Sequence, residues 1–232
     1  MSGGFFLQTF IFNMAVTLTI QSDTTGTDYL LENKITIVRP IDDSQYQIIN
    51  SLFSPFGNTN TVEYLETYFE YASAITSIEN NEVVTLDIAL DVQKGNVYSF
   101  TGTKISQSQR SCLDSQFALE NVRQGSYESV VCGYGEHLSI NGNDQTNASN
   151  IISLAFNTTT FFEPTTKIYI FTSKELATNM VISTSYLNPN QYTLYRVQSL
   201  PTIGNYLEVD MSESQTIHFD SLTNQFEMGA LS

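Results

Sequence analysis

The 232-residue chain has no tryptophan, two cysteines, two histidines, five prolines and only nine lysines and arginines. Each shortage removes a class of function. The basic residues, from Lys34 to Arg196, are scattered singly, whereas a nucleic-acid surface needs clustered Lys and Arg to neutralise phosphates. Against 24 acids they leave a formal charge of −15, which also opposes an anionic membrane. That charge favours solubility and attracts cations. Cys112 and Cys132 alone make neither a zinc site nor a CxxC redox centre. They admit one disulfide or two buried thiols. With His137 and His218 the only imidazoles, nothing in the spacing marks a Ser–His or Cys–His pair. No GxSxG or Walker sequence occurs, and Gly133-Tyr134-Gly135 lacks the third glycine and βαβ setting of a dinucleotide loop, so it reads as a turn.

Long apolar runs are missing as well. The nearest approach is residues 6–20, which a signal peptide, a membrane span or a core strand would each explain. Phe10, Phe12, Met14, Val16, Leu18 and Ile20 fall on one phase of period two. Thr9, Asn13, Thr17 and Thr19 fall on the other, so the stretch predicts a long strand with one buried face. A spanning helix needs about 20 mainly apolar residues. A signal peptide needs a positive n-region, and the first basic residue is Lys34.

What the chain does have is 27 threonines, 25 serines, 19 asparagines, 13 tyrosines and 15 phenylalanines, a mix that favours strands and turns. Strands are expected at 29–38, 84–92, 97–105, 126–132, 137–140, 150–156, 167–172, 180–187, 191–198, 205–211, 215–220 and 225–228. The segments 84–92 and 97–105 read as one hairpin, and 180–187 with 191–198 as another. Helices are expected over 44–53, over 114–122 and above all over 60–78, where Val62, Leu65, Phe69, Ala72 and Ile75 share helical spacing. Glu63, Glu66 and Glu70 would then lie together on the opposite, solvated face. No linker composition divides the chain and no repeat is visible. The reading is therefore mainly β: a single β-sandwich domain over residues 1–232, in jelly-roll form, with short helices in its connections.

Function is less legible. The oxygen-rich 141–147 segment fails the EF-hand pattern, because position twelve is Ile152 rather than Glu, and leaves only weak calcium binding open. The sequons at Asn147 and Asn157 are no signal, since 19 asparagines give roughly four by chance. No catalytic, cofactor-binding or metal-ligating residue is nominated, and the expectation is a protein that is not an enzyme. It would be a structural assembly protein, a capsid, vertex or decoration component of a virion or other extracellular shell, whose partners are copies of itself or other shell proteins. Phe5–Leu7, Ile151–Ile152 and Phe161–Phe162 are apolar on both strand phases, and a neighbouring subunit would supply their second cover. The alternative is a secreted or surface carbohydrate-binding module, with Tyr64, Tyr68 and Tyr71, or Tyr186, Tyr192 and Tyr195, as stacking faces. A hydrolase on the same scaffold is the third reading, its carboxylate pair meeting only in space.

Overall fold

The computed structural model describes residues 15–41, 44–123, 128–187 and 206–231. In chain order the elements are β1 (Val16–Ser22), α1 (Thr24–Asn33), β2 (Ile35–Val38), β3 (Tyr46–Phe53), β4 (Thr59–Ser73), β5 (Ile88–Val92), β6 (Asn96–Phe100), β7 (Ile105–Ser111) and β8 (Phe117–Asn121). They continue with β9 (Val130–Ile140), β10 (Asn143–Ala148), β11 (Ile152–Leu154), β12 (Thr159–Phe162), β13 (Lys167–Thr172), β14 (Val181–Ser183), β15 (Leu207–Asp210), β16 (Gln215–Asp220) and β17 (Gln225–Met228). The fold is mainly β, as the composition implies, with its sheets packed face to face. An eight-stranded sheet runs β10-β9-β4-β1-β16-β17, with β11 on β9 and β5 on β4. A four-stranded sheet runs β12-β8-β6-β7 and a five-stranded one β14-β3-β2-β13-β15. A jelly roll has two sheets; here there are three, and the β1–β16 and β6–β8 pairs are parallel.

Three apolar clusters hold the sheets together. Leu18, Ile20, Val62, Leu138, Ile217 and Phe219 of the large sheet meet Ile35, Ile37, Ile168, Ile170 and Val209 of the five-stranded sheet. At the other end of β4 and β9, Ala72, Cys132 and Tyr134 meet Tyr98, Phe100, Phe117 and Phe162 of the four-stranded sheet. On the reverse face there, Phe69, Tyr71 and Val131 pack on Ile48, Val84 and Val181. The far half of β4 and the near half of β9 are thus covered on both sides. Alternation vanishes in such a strand, because both phases must be apolar.

That double burial explains the failed helices. Residues 60–78 look helical because apolar residues on both strand phases include a set at i, i+3, i+4 and i+7. Residues 60–73 instead belong to the 15-residue strand β4, rich in Thr and Tyr, and the strand ends at Ser73. A bulge sets the three residues between Tyr64 and Tyr68 against one on β9, and Glu66 takes a left-handed φ of 51° within it. The predicted helices at 44–53 and 114–122 are β3 and β8, in which Gln47 to Ser51 and Phe117 to Leu119 are buried without a break.

Other expectations change in detail. The strand expected over 29–38 is α1 followed by β2. Asp23 Oδ1 caps α1 by accepting the Gly26 N–H at 2.6 Å, while Leu30 enters the core and Tyr29 stacks on Phe219 at 5.4 Å. The segments 84–92 and 97–105 are not one hairpin: β5 pairs with β4, and β6 with β7 and β8, so the turn between them crosses sheets. Residues 106–111 and 143–149, whose polar composition suggests loops, contain most of β7 and all of β10. The strands β13, β16 and β17 lie where their alternation puts them. Of the opening strand, β1 is described and alternates as expected, with Leu18 and Ile20 buried. Residues 6–14, with Phe12, lie outside the described residues, as does the partner strand expected at 191–198. Beyond Tyr68 the edge of β4 that a longer β1 would use is taken by β5.

Candidate interaction surface and buried polar centres

The end of the molecule where β1 finishes is built by three segments. The 54–58 loop is tied to α1 by Thr27 Oγ1 donating to Asn58 Oδ1 at 3.0 Å, and to β1 by the Ser22 N–H donating to the Asn58 carbonyl at 2.9 Å. The β16–β17 turn is tied to the same helix start by Ser221 Oγ donating to Asp23 Oδ2 at 2.8 Å. These bonds hold both loops beside the first turn of α1. From them project Phe56, 90% exposed, and Leu222, 92% exposed, and Leu31 on α1 is half exposed. Single exposed apolar residues are ordinary. Two nearly naked large ones, on loops anchored to one helix turn, make that end of the molecule a candidate apolar patch. Asp220 Oδ1 accepts the Leu222 N–H at 2.9 Å.

Two polar centres are buried. Arg39, just past β2, donates from Nε to Glu136 Oε1 at 2.6 Å and from Nη1 to the Thr165 carbonyl at 2.6 Å. Its guanidinium lies 4.5 Å from the Tyr64 ring centroid. Glu136 Oε1 also accepts from Asn50 Nδ2 at 3.1 Å and Ser149 Oγ at 3.2 Å. Burial works against the Arg39 charge, but the adjacent Glu136 carboxylate outweighs it and holds the proton more firmly than usual. Along β9, Tyr134 belongs to one apolar cluster and Leu138 to another, and Glu136 falls between them. The second centre is Glu70, fully buried on β4, whose Oε1 and Oε2 have no hydrogen-bond partner among the described residues.

The residues singled out by sequence are dispersed. Glu63, Glu66 and Glu70 do not share a face: Glu66 is exposed in the bulge and Glu70 is buried. Tyr64 and Tyr71 are core residues and Tyr68 is packed against the core, so that set offers no faces to a sugar, and Tyr186 is buried. Tyr192 and Tyr195 lie outside the described residues. Cys112 and Cys132 are free thiols, and burial pushes both upward in pKa. Asn147 is buried, which removes one sequon, and the 141–147 segment is a tight turn followed by β10. Among the described residues no group of three or more His, Cys, Asp or Glu is placed to hold a metal ion, and no helix is long and apolar enough to cross a membrane.

Gly133 and Gly135 are not a turn but the middle of β9. A Cβ on Gly133 would sit 2.0 Å from the Asn150 carbonyl oxygen, and one on Gly135 would sit 2.2 Å from Phe69 Cζ. The glycines let the chain after β10 pass directly over β9. A chain of bonds that sequence reasoning missed joins Thr146 Oγ1 to His137 Nδ1 at 3.1 Å and His137 Nε2 to Asp91 Oδ1 at 2.9 Å. Its members come from three strands, so no spacing signals it. Asp91 is 81% exposed, so the bonds lie in water, where an imidazole–carboxylate pair gains little. A cleft of about 650 Å³ opens where the large and four-stranded sheets end, lined by Ser73, Thr76, Asp87, Phe100, Arg123 and Ser129 among others. The Asp87 carboxylate already accepts from Thr85 Oγ1 and the Ala74 N–H, which hold it below the usual carboxylate range. Comparison with protein-family models, with curated proteins and with solved structures returned no match for this chain.

Proposed function

We propose that this chain is a non-enzymatic structural protein that self-associates, of the kind that forms a virion shell or another extracellular assembly as a capsid, vertex or decoration component. The observation that carries the reading is the pair Phe56 and Leu222, each at least nine-tenths exposed on loops tied to the same helix turn. Exposed apolar side chains beside a polar one, here Asp220 next to Leu222, match the make-up of a protein interface: an apolar centre with a polar rim. The charge of −15 keeps isolated copies apart, so assembly should strengthen as salt screens their repulsion.

Sedimentation velocity of the full chain at tens of micromolar, at low and high salt, tests this. Oligomers that grow with salt and are lost in Phe56→Ser/Leu222→Ser support it; a monomer under every condition overturns it. The cleft lined by Ser73, Asp87 and Arg123 favours a second reading, a carbohydrate-binding module, since hydroxyl, carboxylate and guanidinium groups converge there. Binding on a glycan array that Arg123→Ala abolishes would favour it.

A further inference from the structure

Resting on the assembly reading, we infer that the occupant of the Phe56–Leu222 patch is the apolar segment of residues 5–12 from a second copy, so that copies join head to tail. The direction of β1 carries the argument. It begins at Val16 and ends at Ser22 beside the patch. The preceding residues therefore join the body at the opposite end. From Ala15 to Ser22 an extended chain covers about 23 Å, at roughly 3.3 Å per residue. Five residues at no more than about 3.6 Å each reach roughly 18 Å, so neither Phe10 nor Phe12 can double back to the patch of its own chain. Only a neighbour can receive the whole apolar run there.

Charge and area agree. The first charged residue of the chain is Asp23, so residues 1–22 can approach an acidic body without repulsion. Phe5, Phe6, Phe10 and Phe12, burying about 150–250 Å² each, supply roughly 600–1,000 Å². A stable interface needs about 800 Å² per partner. A contact between two different surfaces is heterologous, and it builds rings or open filaments rather than closed pairs.

Complementation between two full-length variants tests this. One carries Phe5→Ser/Phe6→Ser/Phe10→Ser and keeps its patch; the other carries Phe56→Ser/Leu222→Ser and keeps its N-terminal segment. Circular dichroism first establishes that each is folded. Each alone should sediment as a monomer, and an equimolar mixture should give a 1:1 complex of twice the mass. An N-terminal variant that assembles like the unmodified chain, or a mixture that stays monomeric while the unmodified chain assembles, overturns the inference and leaves the assembly reading standing. An unmodified chain that is monomeric at every salt concentration overturns both.

Discussion

Replacing Glu70 should change how stability depends on pH. The side chain lies between Tyr68 and Ala72 on the face of β4 that packs on the four-stranded sheet, and neither oxygen has a partner among the described residues. Burial alone pushes its carboxyl from 4.5 up to about 8. The folded chain therefore keeps a proton that the unfolded chain releases across that window. The stability contributed by the neutral carboxyl is full below about 4.5, falls as pH rises, and is gone above about 8. At about 1.4 kcal/mol for each pH unit, the loss across the window is on the order of 4 kcal/mol. The phenols and thiols around it, Tyr68, Tyr98, Tyr134, Cys112 and Cys132, are all pushed upward and stay neutral over that range. Glu70→Met keeps the side chain's size and removes both orphaned oxygens. Urea unfolding of both proteins from pH 4.5 to 8.5 is the assay. The advantage of Glu70→Met should widen by several kcal/mol with rising pH, while contributions common to both proteins cancel in the difference. A difference that stays constant across this range would refute the burial argument.

Arg39→Met should cost about 3–5 kcal/mol, because it strands the Glu136 carboxylate in the core, and adding Glu136→Leu should recover part of the loss; urea unfolding that finds the double variant weaker than the single contradicts this. Gly133→Ala should fail to yield folded protein, since its Cβ meets a backbone carbonyl, whereas Gly57→Ala, with nothing within 4 Å, should melt within a degree or two of the unmodified chain. Leu18→Asp should abolish folding by placing an unpaired charge in the core. Thr17→Asp, on the outward phase of β1, should leave a cooperative thermal transition seen by circular dichroism.

Composition and alternation were enough to determine that this chain is mainly β, and to place β1, β13, β16 and β17, each of which has one wet face or edge. Those strands carry their burial pattern in their own residues. The strand β3, the far half of β4 and the near half of β9 do not, because they are covered on both faces. Which phase is apolar then depends on what lies above and below, and only the packing supplies that. The same limit governs the polar sites. Arg39 and Glu136 are 97 residues apart, and Asp91 and His137 are 46 apart, so their meeting is a product of strand order. The acidic row Glu63, Glu66 and Glu70 was visible in the sequence, but its meaning reversed once the helix became a bulged strand that buries one carboxylate and exposes another. The apolar patch shows the limit most plainly. Phe56 and Leu222 lie in turn-rich segments that look unremarkable alone, and only Asn58 and Ser221, bonded to the start of one helix, bring them to the same end of the molecule.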